Sequence, residues 1–474
     1  MAGGPWGRPF RLGVPVGAIT GRYFGKGATG TGSLRYWWNF ESARGEGKTM
    51  DEQRRPEDRA DTKENSGARA ARLRQRFPTI EDLRRRAWLR VPRFGFDFVD
   101  GGANDEVCIA RNTAAFRAVE LLPRYCIDGK GISTEVALFG RRYAAPIGIA
   151  PMGSPGLMWP GCEEYLAREA QRARIPYVLA TPANASIERI AEIAPDVFWF
   201  QLYRFPANDH AITFDLVRRA DAAGAHVLVP TVDSAGKSKR PRDIRNGVAV
   251  PFPINPWTVF QVATSPFWAV SFLRHGMPRT ENLVPYAGPN PTQLSTARTM
   301  QLRSGGSHSW DELARLREHW KRAFVIKGIL HPKDAERAVA IGADGIIVSN
   351  HGGRHFDGAP ASIDVLPAIV AAVGTRATVM IDSGIRGGLD VVRALALGAK
   401  AGFTGRPFVY GLAALGPIGA AHVIDLFFDE IRTEFLHVGV RSVAEASTIT
   451  ARHPGAWRFA EAQEPGNRIN PQRV

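Results

Sequence analysis

Ser349-Asn350-His351-Gly352-Gly353-Arg354 closes the apolar run Gly-Ile-Ile-Val, so a histidine and an arginine stand three residues apart at the lip of a buried strand. A histidine there suits proton transfer near neutral pH, and an arginine suits two parallel hydrogen bonds to a carboxylate. Five other apolar runs end in the same manner. Their polar residues are Gln201 and Tyr203, Thr231 and Asp233, Lys327-Gly328, Asp382-Ser383-Gly384 with Arg386 beyond, and Gly405-Arg406-Pro407. A single polar strand end carries little information. Six of them, with Lys, His, Asp and Arg among the types, are hard to explain by packing alone. In "DSGIRGG" and "FTGRP" glycine amides sit beside an arginine, a combination suited to a phosphate dianion. The residues therefore point to a phosphorylated ligand or cofactor held next to a candidate base.

The elements that must position these residues alternate in a βα rhythm from about Phe77. Strands are expected at Pro146–Pro151, Tyr177–Thr181, Val197–Tyr203, His226–Asp233, Phe324–Gly328, Gly345–His351, Thr378–Gly384 and Ala401–Pro407. Between them lie helical stretches such as "PKDAERAVAIGA" and "GGLDVVRALALGA", each closing on Gly-Ala. The pattern predicts an α/β fold, a (β/α)8 TIM barrel with its reactive residues at the strand C-terminal ends. A long loop follows the fourth strand.

Composition bounds the rest. The chain has 474 residues, 44% hydrophobic and 23% charged, as in an ordinary globular protein. Its three cysteines (Cys108, Cys126, Cys162) lack metal-ligand spacing, so no metal is expected and a reducing compartment is. The net charge of +15 is concentrated early: residues 1–49 hold seven Lys/Arg against two Glu. Residues 1–76 read as a disordered tail, with its first part a transit segment or a mis-assigned start ahead of Met50. Nucleic-acid binding is not expected. Residues 77–450 read as the barrel, with 245–322 as a lid or membrane-docking loop, and 451–474 as a C-terminal tail. Gly25–Gly30 matches G-x-G-x-x-G, but no strand precedes it; "GEGKT" has Ser42 where a phosphate loop needs its first glycine; His453-Pro454-Gly455 lacks the domain that would make it a haem site.

"SNHGGRHFDGAPASIDVLPAIV", "IDSGIRGGLDVVRALALGA" and "GRPFVYGLAA", in that order, resemble the FMN-dependent α-hydroxy-acid oxidising enzymes. That family includes glycolate oxidase, L-lactate dehydrogenase and mandelate dehydrogenase. "LMWPGCEEYLAREAQRARIPYVLAT" and "DVFWFQLY" are most similar to the mandelate and lactate dehydrogenases. The resemblance spans about 77–447. It implies FMN as cofactor and oxidation of an L-2-hydroxy acid to the 2-oxo acid. It implies His351 as base, Asp233 as its orienting partner and Tyr203 as a hydrogen-bonder to the substrate oxygen. Arg354 and Arg240 would hold the carboxylate. Lys327 would sit by the flavin, and Gln201, Thr231 and Ser349 would bond its ring. Pro151, Met152, Gly153 and Ala180 would line it, with Asp382, Gly384 and Gly405 at the same strand ends. Arg386 and Arg406 would take its phosphate. A homotetramer is the usual assembly in such a family.

Departures from the pattern bear on the substrate. Phe98 stands where a tyrosine usually helps bind the carboxylate, a loss of about 0.5–1.5 kcal/mol for one net hydrogen bond. Pro182 replaces a bulky aromatic, and His355-Phe356 replace the more usual Gln-Leu. Gly153 falls where the dehydrogenases carry Gly and the oxidases Ala, which implies a quinone or other carrier as electron acceptor. In the long loop, residues 252–280 combine Trp257, Phe260, Phe267, Trp268 and Phe272 with Arg274, His275 and Arg279, a set that suits either a lid or a peripheral membrane contact. The expected location is cytoplasmic, with attachment at the inner face of the membrane. An FMN barrel of different chemistry, an isomerase or an oxidase of another substrate, is the alternative; the Arg240–Arg354 pair argues against it.

Overall fold

Eight short apolar strands, nearly all of their residues buried on both sides, close into one parallel barrel: β1 Ile147–Ile149, β2 Tyr177–Leu179, β3 Phe198–Leu202, β4 Val227–Pro230, β5 Ala323–Ile329, β6 Gly345–Val348, β7 Thr378–Ile381 and β8 Gly402–Thr404. Neighbours pair in chain order, and β8 closes on β1 through Gly402–Ile147, Phe403–Gly148 and Thr404–Ile149. Continuous burial is what strands sandwiched between packed side chains and a helical shell require. The computed structural model describes residues 67–459 apart from 127, 237 and 249–253. The glycine-rich stretches Gly25–Gly30 and Gly45–Thr49, the rest of 1–66, and 460–474 lie outside the described residues.

All eight expected strands are present. Seven of them end one to three residues earlier than expected, because their polar C-terminal residues leave the ladder and turn into the barrel mouth. The fifth runs on to Ile329, and its pairing with β6 slips between Lys327 and Ile329. Gly328 sits at that slip with φ +104°, and a Cβ there would lie 2.7 Å from the Asp233 carboxyl. Only glycine admits both the left-handed backbone and the approach of Asp233.

Residues 67–76, expected as part of the tail, are helical; "GARAARLRQR" is mostly Ala, Leu and Arg, all strong helix formers. At the other end Ala451–Arg452 pairs antiparallel with Glu120–Leu121, so the ordered body continues just past 450. The helices Arg406–Leu415 and Gly419–Val438 are together long and apolar enough to cross a membrane, but 67% of their most apolar part is buried inside the protein. They cross so closely that a Cβ on Gly419 would fall 1.9 Å from the Gly411 carbonyl oxygen.

The mouth is partly covered by the helix Arg93–Asp100, whose end is pinned by a buried carboxylate. Asp100 accepts from Arg84 Nε at 2.6 Å, Arg242 Nη1 at 2.7 Å and the Tyr410 hydroxyl at 2.7 Å. This anchor fixes where Phe98, two residues earlier, meets the site.

Candidate active site

A cavity of about 690 Å³ opens at the C-terminal ends of the strands. Every residue expected at the site lines it except Asp233 and Ser349, which stand one layer behind and bond the residues that do. The 245–322 connection adds Met300, Gln301 and Ser304 to the wall.

His351 occupies the centre. Its Nδ1 lies 2.8 Å from Asp233 Oδ1 and its Nε2 lies 3.1 Å from the Tyr203 hydroxyl. The residue has φ +57°, a conformation that costs a non-glycine residue about 1–3 kcal/mol and persists only where the surroundings enforce it. They do so here. Ser349 Oγ accepts from the His351 amide at 3.0 Å, and Ser383 Oγ accepts from the Gly352 amide at 2.8 Å. Burial would raise the Asp233 carboxyl, but His351 and Lys327 outweigh it and hold the group well below the usual carboxylate range. Asp233 is therefore a negative charge behind the imidazole, a partner that favours the tautomer with its N–H on Nδ1. Tyr203 is pushed upward by burial and by Asp233, so its hydroxyl stays a neutral donor.

On the floor, the Lys327 ammonium is 3.0 Å from Asp382 Oδ2 and donates to Ser349 Oγ at 2.8 Å. Burial disfavours its charge, yet Asp382 and Asp233 more than offset this and raise its pKa. Gln201 donates to Thr231 Oγ1 at 3.0 Å and accepts from the Thr181 amide, which fixes one polar edge of the floor.

At the rim two guanidiniums lie against Phe98, with Arg240 Cζ 5.5 Å and Arg354 Cζ 5.4 Å from its ring centroid. Arg354 Nη1 donates to the carbonyls of Phe98 and Gly101, and Arg240 pairs with Asp243 at 3.1 Å. Burial and the like charges of Arg240 and Arg406 push Arg354 down to about 9. The positive charge at this rim is thus under-compensated by the protein's own carboxylates, which suits an incoming anion.

Arg386 and Arg406 also line the cavity, and Arg406 stands beside Arg354, the two sharing the Gly101 carbonyl as acceptor. Arg406 does more than sequence reasoning expects of it: three of its N–H groups donate to the carbonyls of Val99, Gly352 and Gly101, each at 2.9 Å. It ties the covering helix to the loop after β6. The helix it begins has no side-chain cap on its N-terminus. In the loop after β7, the Gly388 amide is bonded to Glu430 and the Arg386 amide to Asp390. Sequence reasoning names Ser383 only as part of a polar strand end and misses its role, with φ +72° and its hydroxyl on the His351 loop; it leaves His355 as a departure only.

These features define a barrel with a histidine–aspartate pair at its mouth, an arginine-lined rim beside the pair and a buried lysine on its floor. A family model described as FMN-dependent dehydrogenase matches residues 87–452. The L-lactate dehydrogenase of Caulobacter vibrioides is 40% identical over 364 residues, covering 77% of this chain and 94% of the relative. The (S)-mandelate dehydrogenase of Pseudomonas putida is 36% identical over 388 residues, covering 82% and 97%. Among solved structures, monotopic membrane protein (S)-mandelate dehydrogenase superposes with a TM-score of 0.75 at 35% identity, over 79% of this chain and 99% of that one. The chain belongs to the FMN-dependent dehydrogenase family; it is an α-hydroxy-acid dehydrogenase, and FMN is its cofactor.

The residues present fit that cofactor. The donor set joins two arginines and an uncapped helix N-terminus, suited to a phosphate, to a buried lysine and a fixed amide, suited to a polar ring. At Gly405 a Cβ would meet Met152 Sδ at 2.7 Å, so glycine keeps that wall open.

Proposed function

We propose that the enzyme oxidises a lactate- or mandelate-like L-2-hydroxy acid to the 2-oxo acid with His351 as general base. The observation that carries this reading is the His351 ring held between Asp233 and Tyr203 and facing a rim with two arginines. Arg354 and Arg240 bind the substrate carboxylate, Arg354 through the guanidinium nitrogens its carbonyl contacts leave free. Tyr203 donates to the substrate oxygen, and His351 Nε2 takes up one of the two protons released as the carbinol becomes a carbonyl. Asp233 stabilises the imidazolium that forms. When bound, FMN would supply the acceptor for the two electrons and the other proton. Lys327, Gln201, Thr231 and Ser349 would hold its ring; Pro151, Met152, Gly153, Ala180, Asp382 and Gly384 would surround it. Arg386, Arg406 and the Gly405 turn would hold the phosphate. Lys327 would also place a buried positive charge beside the ring, suited to negative charge there.

Electrons then pass to a quinone or another carrier at a membrane surface. Support comes from the helices Pro256–Ala263 and Pro266–His275, which expose Trp257, Phe260, Phe267, Val270 and Leu273, the last 82% exposed. Trp268 from the same pair packs inward, T-shaped on Phe94, and donates to the Leu157 carbonyl. The pair is thus docked on the barrel by one aromatic while it presents others outward, as an interfacial anchor does. The test is anaerobic: L-lactate, glycolate, (S)-mandelate and a longer aliphatic 2-hydroxy acid are added in turn while the flavin absorbance is followed. Rapid bleaching by one of them is expected. A yellow protein that none of them bleaches refutes the reaction; one reoxidised faster by air than by a soluble quinone refutes the acceptor.

A further inference from the structure

His355 lines the cavity beside Arg240, Arg354 and Tyr203, with its ring perpendicular to that of His351 and the centroids 4.1 Å apart. The groups that face it are the His351 imidazole and the Arg240 and Arg354 guanidiniums, with the carboxylate of Asp233, which His351 already engages. Burial first, then His351 and the arginines, push His355 down to about 3, so the ring is uncharged at neutral pH. A neutral imidazole carries one proton, and its location follows from the surroundings. Nδ1 is buried with no hydrogen-bond partner. An orphaned buried N–H is costlier and rarer than an orphaned acceptor, so the proton belongs on Nε2. Nε2 is also the only ring nitrogen left to meet a molecule in the cavity. Phe98, on the same rim, offers no donor of its own.

We propose that His355 is a substrate-binding residue whose neutral Nε2–H donates a hydrogen bond to the carboxylate of the 2-hydroxy acid, beside Arg354 and Arg240. The inference rests on the carboxylate-binding reading above and deepens it. A neutral donor at this point adds a bond without a third positive charge next to an imidazolium in the making, which an arginine or lysine there would impose.

The holoenzyme tests this through binding of oxalate, an unreactive carboxylate read by perturbation of the flavin spectrum, and through KM for L-lactate and (S)-mandelate. H355F, which keeps a ring but has no donor, should weaken oxalate and raise KM about tenfold, with kcat changed less than about threefold. H355Q, whose amide donates, should return both to within about threefold of the parent. Because the donor is neutral, the ratio of H355F to parent affinity should be constant from pH 5 to pH 8. Parent-like oxalate binding by FMN-loaded H355F overturns the inference, and so does a ratio that collapses to unity above pH 6.5, the mark of a cationic ring. If H355F does not retain FMN, H355Q and H355M are compared instead; equal affinities overturn it. R354Q is measured alongside. If R354Q binds oxalate as the parent does, the carboxylate reading itself fails; if R354Q loses oxalate and H355F does not, only the role of His355 falls.

Discussion

Replacing Asp233 by asparagine removes a charge while leaving the hydrogen-bond geometry nearly intact, which makes it the sharpest test of the base. Oδ1 is the atom that meets His351 Nδ1, at 2.8 Å, and Oδ2 is buried with no partner. The amide oxygen of the substituted side chain can therefore take the Oδ1 position and still accept from Nδ1, with its NH2 group in the unpartnered place. What is lost is the attraction between a carboxylate and the imidazolium formed as His351 takes a proton. Charges about 4 Å apart at an effective dielectric near 20 attract by about 4 kcal/mol. Both side chains are largely shielded, 19% and 12% exposed, so little discount for solvent applies. With proton transfer about half complete at the barrier, about 2 kcal/mol is withdrawn, a factor of about 30 in rate. The unmatched NH2 group adds to the loss. The assay is stopped-flow flavin reduction at saturating substrate, with oxalate binding measured in parallel. Expected is a reduction about 30- to 100-fold slower, with oxalate affinity changed less than about threefold. A D233N enzyme that reduces its flavin within threefold of the parent rate would refute the base–carboxylate argument, and one that loses oxalate equally would show that the substitution had disturbed the rim.

Other parts of the molecule yield further expectations. F98L removes the ring that Arg240 and Arg354 lie against; with cation–π contacts of about 0.5–2 kcal/mol each, KM should rise about fivefold or more while kcat holds, and an unchanged KM would mean the ring does not order the arginines. Glu163, 3% exposed and accepting from the Asn184 amide at 2.6 Å, is raised by burial to about 7 from an ordinary 4.5. Its folded state binds the proton more tightly than the unfolded chain, so stability is full below pH 4.5, declines as pH rises to about 7, and is flat beyond. E163Q should remove that decline, a gain of about 3 kcal/mol at pH 8, visible as a melting temperature that no longer falls between pH 5 and pH 8. The double variant F267E/L273E should lose at least about tenfold in binding to vesicles containing phosphatidylglycerol, yet keep its rate with a soluble dye acceptor; undiminished sedimentation with vesicles would exclude this helix pair as the anchor.

The barrel is legible because its strands are buried on both faces, so each reads as an unbroken apolar run closed by polar residues. "FWFQLY" and "GIIVSNH" leave no period to misread, and the chemistry begins where the ladder stops. Expected strand ends run long for the same reason: nothing in Thr231-Val232-Asp233 marks where pairing gives way to the mouth. The helix at 67–76 is hidden because its charge density masks the helix propensity of Ala, Leu and Arg. Arg406, flanked by Gly405 and Pro407, reads as a phosphate ligand and nothing more. Its three carbonyl bonds join 99–101 to 352, segments about 250 residues apart, and no local pattern encodes such a contact.

His355 is visible in the sequence as a departure and opaque as a function, and the reason is physical. The protonation state and tautomer of a histidine are set by what surrounds it: here two arginines, a second imidazole and one carboxylate already engaged. Those neighbours come from the segment after β4, which carries Asp233 and Arg240, and from the β6 loop itself. Each is readable alone, but their sum of charge at one ring exists only once the barrel closes. The same holds for the strain at His351. A histidine at φ +57° leaves no mark in a sequence, and becomes informative when Ser349, Ser383 and Asp233, from three different strand ends, all hold it there. The barrel thus devotes little of its sequence to the His351 imidazole itself and much to the groups that hold it in place at the mouth.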